Sequence, residues 1–245
     1  MIIKNIEREI YEKRIEITII FSIAIVISSI ILGIFFYNTR KDYKTIKVVG
    51  MAKKNYQADI IKWEFSFFQR VGLGNLKKGY DKIGEMKDVL LNQITNAGIK
   101  SSEVTINPIN FRNEYSRGGV SGFVLTQSVF IISRKMEKLE DIALNPSILV
   151  KKGVFIQNSK LNYFFSKLKK IKQDILSKAT INAKERAEKI LKTLGSRTGD
   201  LKTIRQGVFQ ITEPFSTEVS GRGMYNTDSK NKEIKITVHA EFEIK

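Results

Sequence analysis

The chain has 245 residues, of which 42 are Lys or Arg and 25 are Asp or Glu, so its formal net charge at pH 7 is +17. It contains no cysteine and one histidine. This composition excludes disulfides, thiolate metal sites and a cysteine nucleophile, and it disfavours a histidine-based metal site. Because 42% of the residues are hydrophobic, the chain can bury a core. We expect neither a metal ion nor a cofactor.

An uncharged run of 23 residues, ITIIFSIAIVISSIILGIFFYNT, occupies positions 17–39. As a helix it would be about 35 Å long, enough to cross about 30 Å of hydrocarbon. A cleaved signal peptide is the alternative, but its apolar region is ordinarily shorter and ends in small residues. This run ends in bulky aromatic residues instead. We therefore predict an N-terminal tail over 1–16, an uncleaved transmembrane anchor over 17–39 and a globular domain over 40–245.

The flanks of this run bear on its orientation. Residues 1–16 carry four basic and four acidic side chains, whereas residues 40–54 carry six basic ones, beginning with Arg40 and Lys41. Basic residues favour the cytoplasmic side, so the flanks alone point weakly to a cytoplasmic domain. Large domains can still be exported against a small difference in flank charge.

The hydrophobic periodicity beyond the anchor alternates between strands and helices. In chain order it predicts strands at 44–50 and 58–69, a helix at 75–97, a strand at 104–111, a flexible polar turn at 112–121, a strand at 122–133, a short helix at 136–144, a strand or hairpin at 153–165, a long helix at 166–194, a strand at 201–212, a loop at 213–232 and a strand at 233–244. This order predicts an α+β fold in which mainly antiparallel sheets pack with helices.

Three segments resemble one known family. They are VVG at 48–50 leading into QADI at 57–60, AGIKSSEV at 97–104, and ATINAKERA at 179–187. In this order they resemble the SIMPL domain family, also called DUF541, although many members have Pro before the Asp of the first segment. The resemblance implies an α+β domain on the outer, periplasmic side of the bacterial inner membrane, ring-like or other multimers, and no catalytic residues to carry over. It thus opposes the orientation that the flank charges favour.

Few residues qualify for catalysis. His239 is the only histidine, and period-two alternation places it on the polar face of the last strand. The S-x-x-K pattern of penicillin-binding enzymes occurs at Ser166–Lys169 and at Ser229–Lys232, but without S-D-N or K-T-G elements. A solvated strand residue and chance matches in a lysine-rich chain explain these features better. We expect a protein that is not an enzyme, with an enzyme of unrecognised type as an alternative.

The helix at 166–194 is strongly basic and has alanines at 179, 183 and 187 that would let a neighbouring element approach closely. The plain interpretation is a core-packing helix with a solvated face. The functional one is a surface for anionic lipid or another envelope polyanion. Nucleic acid is disfavoured, because 31 of the 42 basic residues are lysines and the aromatics fall on apolar strand faces. The candidate anion-binding residues are Lys167, Lys169, Lys170, Lys172, Lys178, Lys184, Arg186, Lys189 and Lys192.

Two aromatic groups, 163–165 and Phe209 with Phe215, could line a groove or a subunit contact, and we expect core packing instead. Taken together, these features predict a membrane-anchored, non-enzymatic bacterial envelope protein that forms homo-oligomers. The alternative is an envelope binding module whose basic face holds an anionic ligand or a lipid surface.

Overall fold

The N-terminal segment is one long helix. In a computed structural model the backbone is described for residues 2–39 and 44–245, and the side chains for residues 13–37 and 44–245. Helix α1 covers Ile2–Thr39, so the predicted tail continues directly into the predicted anchor. Its stretch Lys13–Tyr37 has a mean hydropathy of 2.9 and exposes all of its side chains. The helix is long and apolar enough to cross a membrane, although a signal sequence has the same properties. Arg40 and Lys41 lie outside the described residues.

Residues 44–245 form ten strands, four α-helices and one 3-10 helix (Ser101–Glu103) within the described part of the chain. In order these are β1 (Thr45–Gln57), β2 (Ile60–Gly72), α2 (Leu76–Asn96), β3 (Val104–Ile106), β4 (Asn110–Ser116), β5 (Gly119–Ser133), α3 (Met136–Leu144), α4 (Ser147–Lys151), β6 (Ile156–Phe164), α5 (Leu168–Thr193), β7 (Thr198–Gln206), β8 (Gln210–Thr212), β9 (Met224–Tyr225) and β10 (Asn231–Ile244). The predicted α+β class is confirmed.

The first sheet joins the beginning of the domain to its end. Its strand order is β1-β10-β8-β9, and β7 also pairs with β10; all pairs are antiparallel except β8 with β9. Alternate residues of β10, from Ile234 to Phe242, are buried. They pack under α5, whose apolar stripe includes Ile175 and Ala183. Because side chains alternate between the faces of a strand, the other face of this sheet stays open to solvent.

The second sheet lies in the middle of the sequence. Its order is β3-β5-β2-β6, with β4 also paired to β5, and every pair is antiparallel. Its largest core side chains, Trp63 and Phe67, are fully buried with Ile83 and Leu90 of α2 and Leu139 of α3. The protein therefore has two sheet-and-helix halves, each with its own apolar core.

Helix α5 packs very closely on β1. Gly50 has no side chain, and a Cβ built on it would lie 2.2 Å from the Ala179 carbonyl oxygen and 2.5 Å from the Ala183 nitrogen. Ala179, Ala183 and Ala187 are all fully buried. The close approach predicted from the alanine spacing is confirmed, and glycine in β1 is its counterpart.

Several predictions of secondary structure are wrong. The first strand, predicted to end at residue 50, continues to Gln57, and the predicted single strand at 104–111 is two strands, β3 and β4, which pair with different parts of β5. The predicted polar turn at 112–121 is largely a hairpin, because β4 pairs with β5 as far as Ser116 and Gly119. The predicted single strand at 201–212 is two strands. Strand β7 stops pairing with β10 after Gln206, and Gln210–Thr212 then pairs with a different part of β10 as strand β8. These errors arise because long-range pairing, rather than local polarity, determines where these strands begin and end.

The two halves meet where β1 passes into β2. The Ala58 amide donates to the Lys230 carbonyl at 2.9 Å, and the Tyr163 amide donates to the Thr227 carbonyl at 2.7 Å. Asp59 of the same crossing accepts from the amide and the hydroxyl of Ser166, at 2.7 Å and 2.5 Å. Backbone and side-chain hydrogen bonds thus tie the start of α5 to the strand crossover.

Candidate functional site

The nine basic residues predicted from the sequence lie along the whole of α5. Lys172 is half-buried with its Nζ 5.1 Å from the centroid of the Phe209 ring. Lys178 pairs with Asp174 at 3.2 Å, and Lys184 pairs with Glu188 at 3.8 Å. These three cations interact with neighbours within the protein, which reduces the charge that they offer to an anion.

Arg186 has a structural partner at the edge of the first sheet. Its guanidinium donates to the Val49 carbonyl at 2.9 Å, and one turn earlier the Asn182 side chain accepts from the Met51 amide at 3.1 Å. Both β1 groups point away from β10 and would otherwise face solvent. The two α5 side chains therefore cap two backbone groups in the middle of the free edge of β1, which hinders pairing with another chain at that point.

The remaining five predicted residues are exposed and fall into two groups separated along the helix. Lys167, Lys169 and Lys170 stand at its beginning, whereas Lys189 and Lys192 stand in its last turns. At 1.5 Å per residue, Lys170 and Lys192 are about 33 Å apart along the axis. The basic residues therefore do not form one compact site.

His239 lies on the open face of the first sheet, as predicted. It is exposed between Val49 of β1 and Arg205 of β7 in the strand register. These residues line a shallow surface cavity of about 340 Å³ together with Lys47, Thr203 and Glu241. Within the described residues, no hydrogen bond joins the imidazole to a hydroxyl or a carboxylate.

The two S-x-x-K matches do not bring serine and lysine together as a nucleophile and a base. The Ser166 hydroxyl donates to Asp59 at the crossover. The Ser229 hydroxyl donates to the Asn231 carbonyl. Lys232 lies in β10 with its Nζ donating to the Asn226 carbonyl at 2.7 Å. Each hydroxyl is engaged in a hydrogen bond to a group other than the lysine of its pattern.

A concave basic site that the sequence did not reveal lies beside the crossover. Four basic side chains and one acidic side chain line an open cavity of about 340 Å³ with Gln57, Ala58 and Met136; the charged ones are Arg134, Lys135, Glu137, Lys138 and Lys230. Two of these cations have partners, since Lys230 pairs with Glu140 at 3.1 Å and Lys135 donates to the Gly98 carbonyl. Their positions 134–138 and 230 are far apart in sequence, so no local pattern could have signalled the cavity.

Glu140 links this cavity to the core of the second half. It accepts from the Tyr163 hydroxyl at 2.7 Å as well as from Lys230. The Tyr163 hydrogen bond, together with Lys230 and against the opposing effect of partial burial, lowers the pKa of Glu140. Burial and the neighbouring carboxylate raise the pKa of Tyr163 to about 12. The pair is therefore an ionised carboxylate bound by a neutral phenol at neutral pH.

Sequence comparison identifies the domain that carries these features. The family SIMPL, described as "Protein of unknown function (DUF541)", matches residues 46–243. The chain belongs to the SIMPL family. The match starts one residue inside β1 and ends one residue before the end of β10, so it includes both sheet-and-helix halves. No curated protein matches the chain.

The most unusual buried group of this SIMPL domain is Lys232. Its side chain is fully buried on the α5 side of β10, opposite Tyr56 of β1 in the strand register. Burial lowers its pKa, although Asp228 and Glu213 act in the opposite direction. The Tyr56 hydroxyl is also buried and has no hydrogen-bond partner among the described residues. The sequence did indicate this burial, because Lys232 falls on the same face of the strand, in the alternation of β10, as the core residues Ile234 to Phe242.

The aromatic residues of the SIMPL domain divide between core and surface. Tyr163 is buried, and Phe165 packs on Tyr56 with ring centroids 4.9 Å apart. Phe215, in contrast, is 93% exposed in the loop before β9 and has a φ of 66°. The expectation that Phe215 packs in the core is therefore wrong. Among the described residues, no group of three or more His, Asp and Glu side chains is placed to hold a metal ion.

Proposed function

We propose that this SIMPL protein is a membrane-anchored, non-enzymatic bacterial envelope protein that works as a homo-oligomer. The observation that carries the proposal is the arrangement of two features in one chain. A helix long and apolar enough to cross a membrane ends at Thr39, and a SIMPL domain with an open strand edge begins at about residue 46. The anchor would concentrate copies of the domain on one bilayer, which favours assembly through weak contacts.

Strand β7 is the element that supports assembly. Within the described residues it pairs with β10 alone, and seven of its nine residues are exposed. Its apolar side chains Leu201 and Ile204 are 49% and 45% exposed. An edge strand with open backbone groups and exposed apolar side chains is suited to pair with the same strand of another copy. The edge of β1 differs in its middle, where Asn182 and Arg186 bond the backbone groups of Met51 and Val49.

The test of assembly is the mass of full-length protein in detergent at micromolar concentration, compared among three chains. We expect the natural chain to be larger than a monomer and Ile204→Lys to reduce the mass, because a lysine at an edge opposes pairing. Ile181→Lys is the matched control, since Ile181 is 56% exposed on the outer side of α5. A strict monomer of the natural chain would refute oligomer formation.

The absence of enzymatic activity is proposed from the state of the candidate groups. Ser166 is bonded to Asp59, and His239 stands among β-strand residues on an open face. A broad hydrolase screen of the natural chain, with Ser166→Ala and His239→Ala alongside, tests this. An activity that either substitution removes would contradict the proposal.

The side of the membrane is a further part of the proposal, and we place the domain in the periplasm at the bacterial inner membrane. The support is the family resemblance, which outweighs the weak asymmetry of the flanks. Protease treatment of spheroplasts decides this point. Digestion of the domain without lysis is expected, and full protection would place it in the cytoplasm.

A second candidate function is an anion-binding module of the envelope. It is favoured by the exposed lysines of α5 and by the cavity lined with Arg134, Lys135, Lys138 and Lys230. Titration of the full-length protein with polyphosphate at increasing salt tests it. Binding that weakens with salt and is lost in Arg134→Gln/Lys138→Gln would show that the cavity is the binding site. Loss of binding in Lys167→Gln/Lys169→Gln/Lys170→Gln would show that the beginning of α5 is the binding site.

A further inference from the structure

The chain length between α1 and the domain limits which part of the domain can approach a membrane. Lys44 follows the last residue of α1, Thr39, by five positions. Five residues span at most about 18 Å when fully extended. If α1 crosses a bilayer, as the proposed function holds, the end of the domain that contains Lys44 lies within that distance of the helix end.

Three segments distant in sequence meet at this same end. The Lys44 carbonyl accepts from the Ile244 amide at 2.9 Å. The backbones of Arg197 and Lys245 are joined by two hydrogen bonds, of 2.7 Å and 2.8 Å. Helix α5 ends just before, with the Ser196 amide donating to the Leu191 carbonyl at 2.9 Å. The start of β1, the end of β10 and the end of α5 therefore share one surface.

This surface, the membrane-proximal end, is basic with one apolar projection. Its cations Lys44, Lys189, Lys192 and Arg197 are all exposed. Leu194 stands between them with 73% of its surface exposed. Two acidic groups nearby are already engaged, since Asp200 pairs with Lys245 at 3.6 Å and Glu243 pairs with Lys202. The unneutralised charge at this end is thus positive.

We propose that the membrane-proximal end rests on the anionic headgroups of the bilayer that α1 crosses, with Leu194 reaching the interface. Each basic residue close to such a surface strengthens the contact, and the attraction falls off within about 10 Å in physiological salt. The exposed lysines at the beginning of α5 are about 33 Å farther along the helix and contribute nothing. Tethering removes most of the entropic cost of association, so a few charges suffice.

The basic residues of α5 thus divide into two groups with different functions. Lys189 and Lys192 contact lipid, whereas Lys167, Lys169 and Lys170 remain solvated and available to other polyanions. The docked domain also has a defined orientation, because α5 points its C-terminal end at the bilayer. This orientation leaves the other end of α5 pointing away from the bilayer.

The absence of cysteine makes the test free of background labelling. Full-length protein carrying one fluorophore, at Thr193→Cys or at Gln173→Cys, is reconstituted in bilayers that contain headgroup-nitroxide lipid as quencher. Both positions are exposed on α5 and lie about 30 Å apart along its axis. With 30% anionic lipid we expect quenching at position 193 to be at least about threefold stronger than at position 173, because docking holds position 193 within about 10 Å of the surface. High salt or purely zwitterionic lipid should reduce the difference to the smaller one that the short connection to α1 produces by itself; a difference that salt and lipid charge leave unchanged would overturn the inference.

A matched pair of triple variants separates this surface from general basicity. Lys189→Gln/Lys192→Gln/Arg197→Gln should reduce the ratio of docked to undocked protein on the order of 100-fold. Lys167→Gln/Lys169→Gln/Lys170→Gln removes the same charge from the far end and should leave the ratio unchanged. Thermal unfolding of both variants verifies that they are folded.

The outcomes distinguish the docking surface from the anchor itself. Extraction of the natural protein from membranes by alkaline carbonate would refute the proposed anchor, and the docking inference with it. An anchored protein that shows equal quenching at positions 173 and 193 would overturn the inference alone. Equal effects of the two triple variants would also overturn it and would indicate attraction without a defined surface.

Discussion

Gly50 of β1 and Ala183 of α5 contact each other with no room for a further atom. A Cβ on Gly50 would lie 2.5 Å from the Ala183 nitrogen and 2.7 Å from its Cβ. This contact brings the helix axis close to the sheet. It also places Asn182 and Arg186, which flank Ala183 on the helix, over the backbone groups of Met51 and Val49. One glycine thus sets both the helix packing and the protection of the sheet edge.

We predict that Gly50→Ala destabilises the protein by about 3 kcal/mol, because the added methyl meets backbone atoms that cannot move without shifting α5. Gly84→Ala is the control, since Gly84 lies inside α2 with nothing within 4 Å of its Cβ position. That substitution should stabilise the protein by about 0.5–1 kcal/mol through helix propensity. Urea unfolding of both variants measures the two effects, and a change of the same sign in both would contradict the argument.

Lys232 should make the stability of the protein depend on alkaline pH. Burial lowers its pKa below the ordinary 10.5, so between the two values the unfolded chain binds more protons than the folded one. Stability therefore rises with pH through this window, up to about pH 10.5. Lys232→Met lacks the titration, so the natural chain should gain stability relative to Lys232→Met as the pH rises from 7 to 10.

Lys232→Arg provides the control for this prediction. Its guanidinium stays charged over the whole range, so we expect a loss of about 3 kcal/mol that alkaline pH does not relieve. Chemical unfolding at intervals of half a pH unit measures all three chains. If the difference in stability between the natural chain and Lys232→Met did not change with pH, it would contradict the argument that burial lowers the pKa of Lys232.

The Asp59–Ser166 contact should matter at neutral pH and disappear in acid. Partial burial acts to raise the pKa of Asp59, but the hydrogen bonds from Ser166 and the charge of Arg134 outweigh it and lower the pKa below 3.8. A lowered carboxyl pKa adds stability above the unfolded value, and this is lost as the pH falls through the folded value. Ser166→Ala should therefore cost about 1 kcal/mol at pH 7 and much less below pH 3.

Ser177→Ala is the matched control for Ser166→Ala. The Ser177 hydroxyl donates to a helix carbonyl, that of Gln173, at 3.2 Å on the exposed side of α5. Its loss should change stability by less than about 0.5 kcal/mol at every pH. Urea midpoints between pH 2.5 and 7 give the comparison, and parallel curves for the two variants would refute a role for the Asp59 carboxylate.

The effect of Phe215 on stability should come from its strained backbone and not from packing of its ring. Its φ of 66° is unfavourable for any residue with a Cβ, and 93% of its surface is exposed. Phe215→Gly should raise stability by about 1 kcal/mol because glycine adopts this conformation without strain. Phe215→Ala retains the strain and should leave stability nearly unchanged. Thermal unfolding measures both, and a loss in the two variants together would indicate that the ring packs on something.

Local patterns predicted the elements whose burial follows a simple period. The helix at 136–144 has the predicted bounds, and the alternation in β10 placed His239 correctly on the open face. The pattern failed at 112–121, where polar residues form a hairpin held by β5. It also failed at Phe215, because an aromatic residue in a loop is buried only if a distant element covers it. Such coverage is a property of the whole chain.

The amino-acid sequence by itself determined the apolar helix of membrane-crossing length, the α+β class, the SIMPL resemblance and the small-residue stripe of α5, because each depends on residue type at short spacing. Only the tertiary structure decided which basic residues have partners, that Arg134 and Lys230 line one cavity, and that Lys44, Lys192 and Arg197 share one end of the domain. Charges act over distances in space of about 10 Å. Strand pairing brings residues together across almost 200 positions of sequence, and no local pattern records those distances.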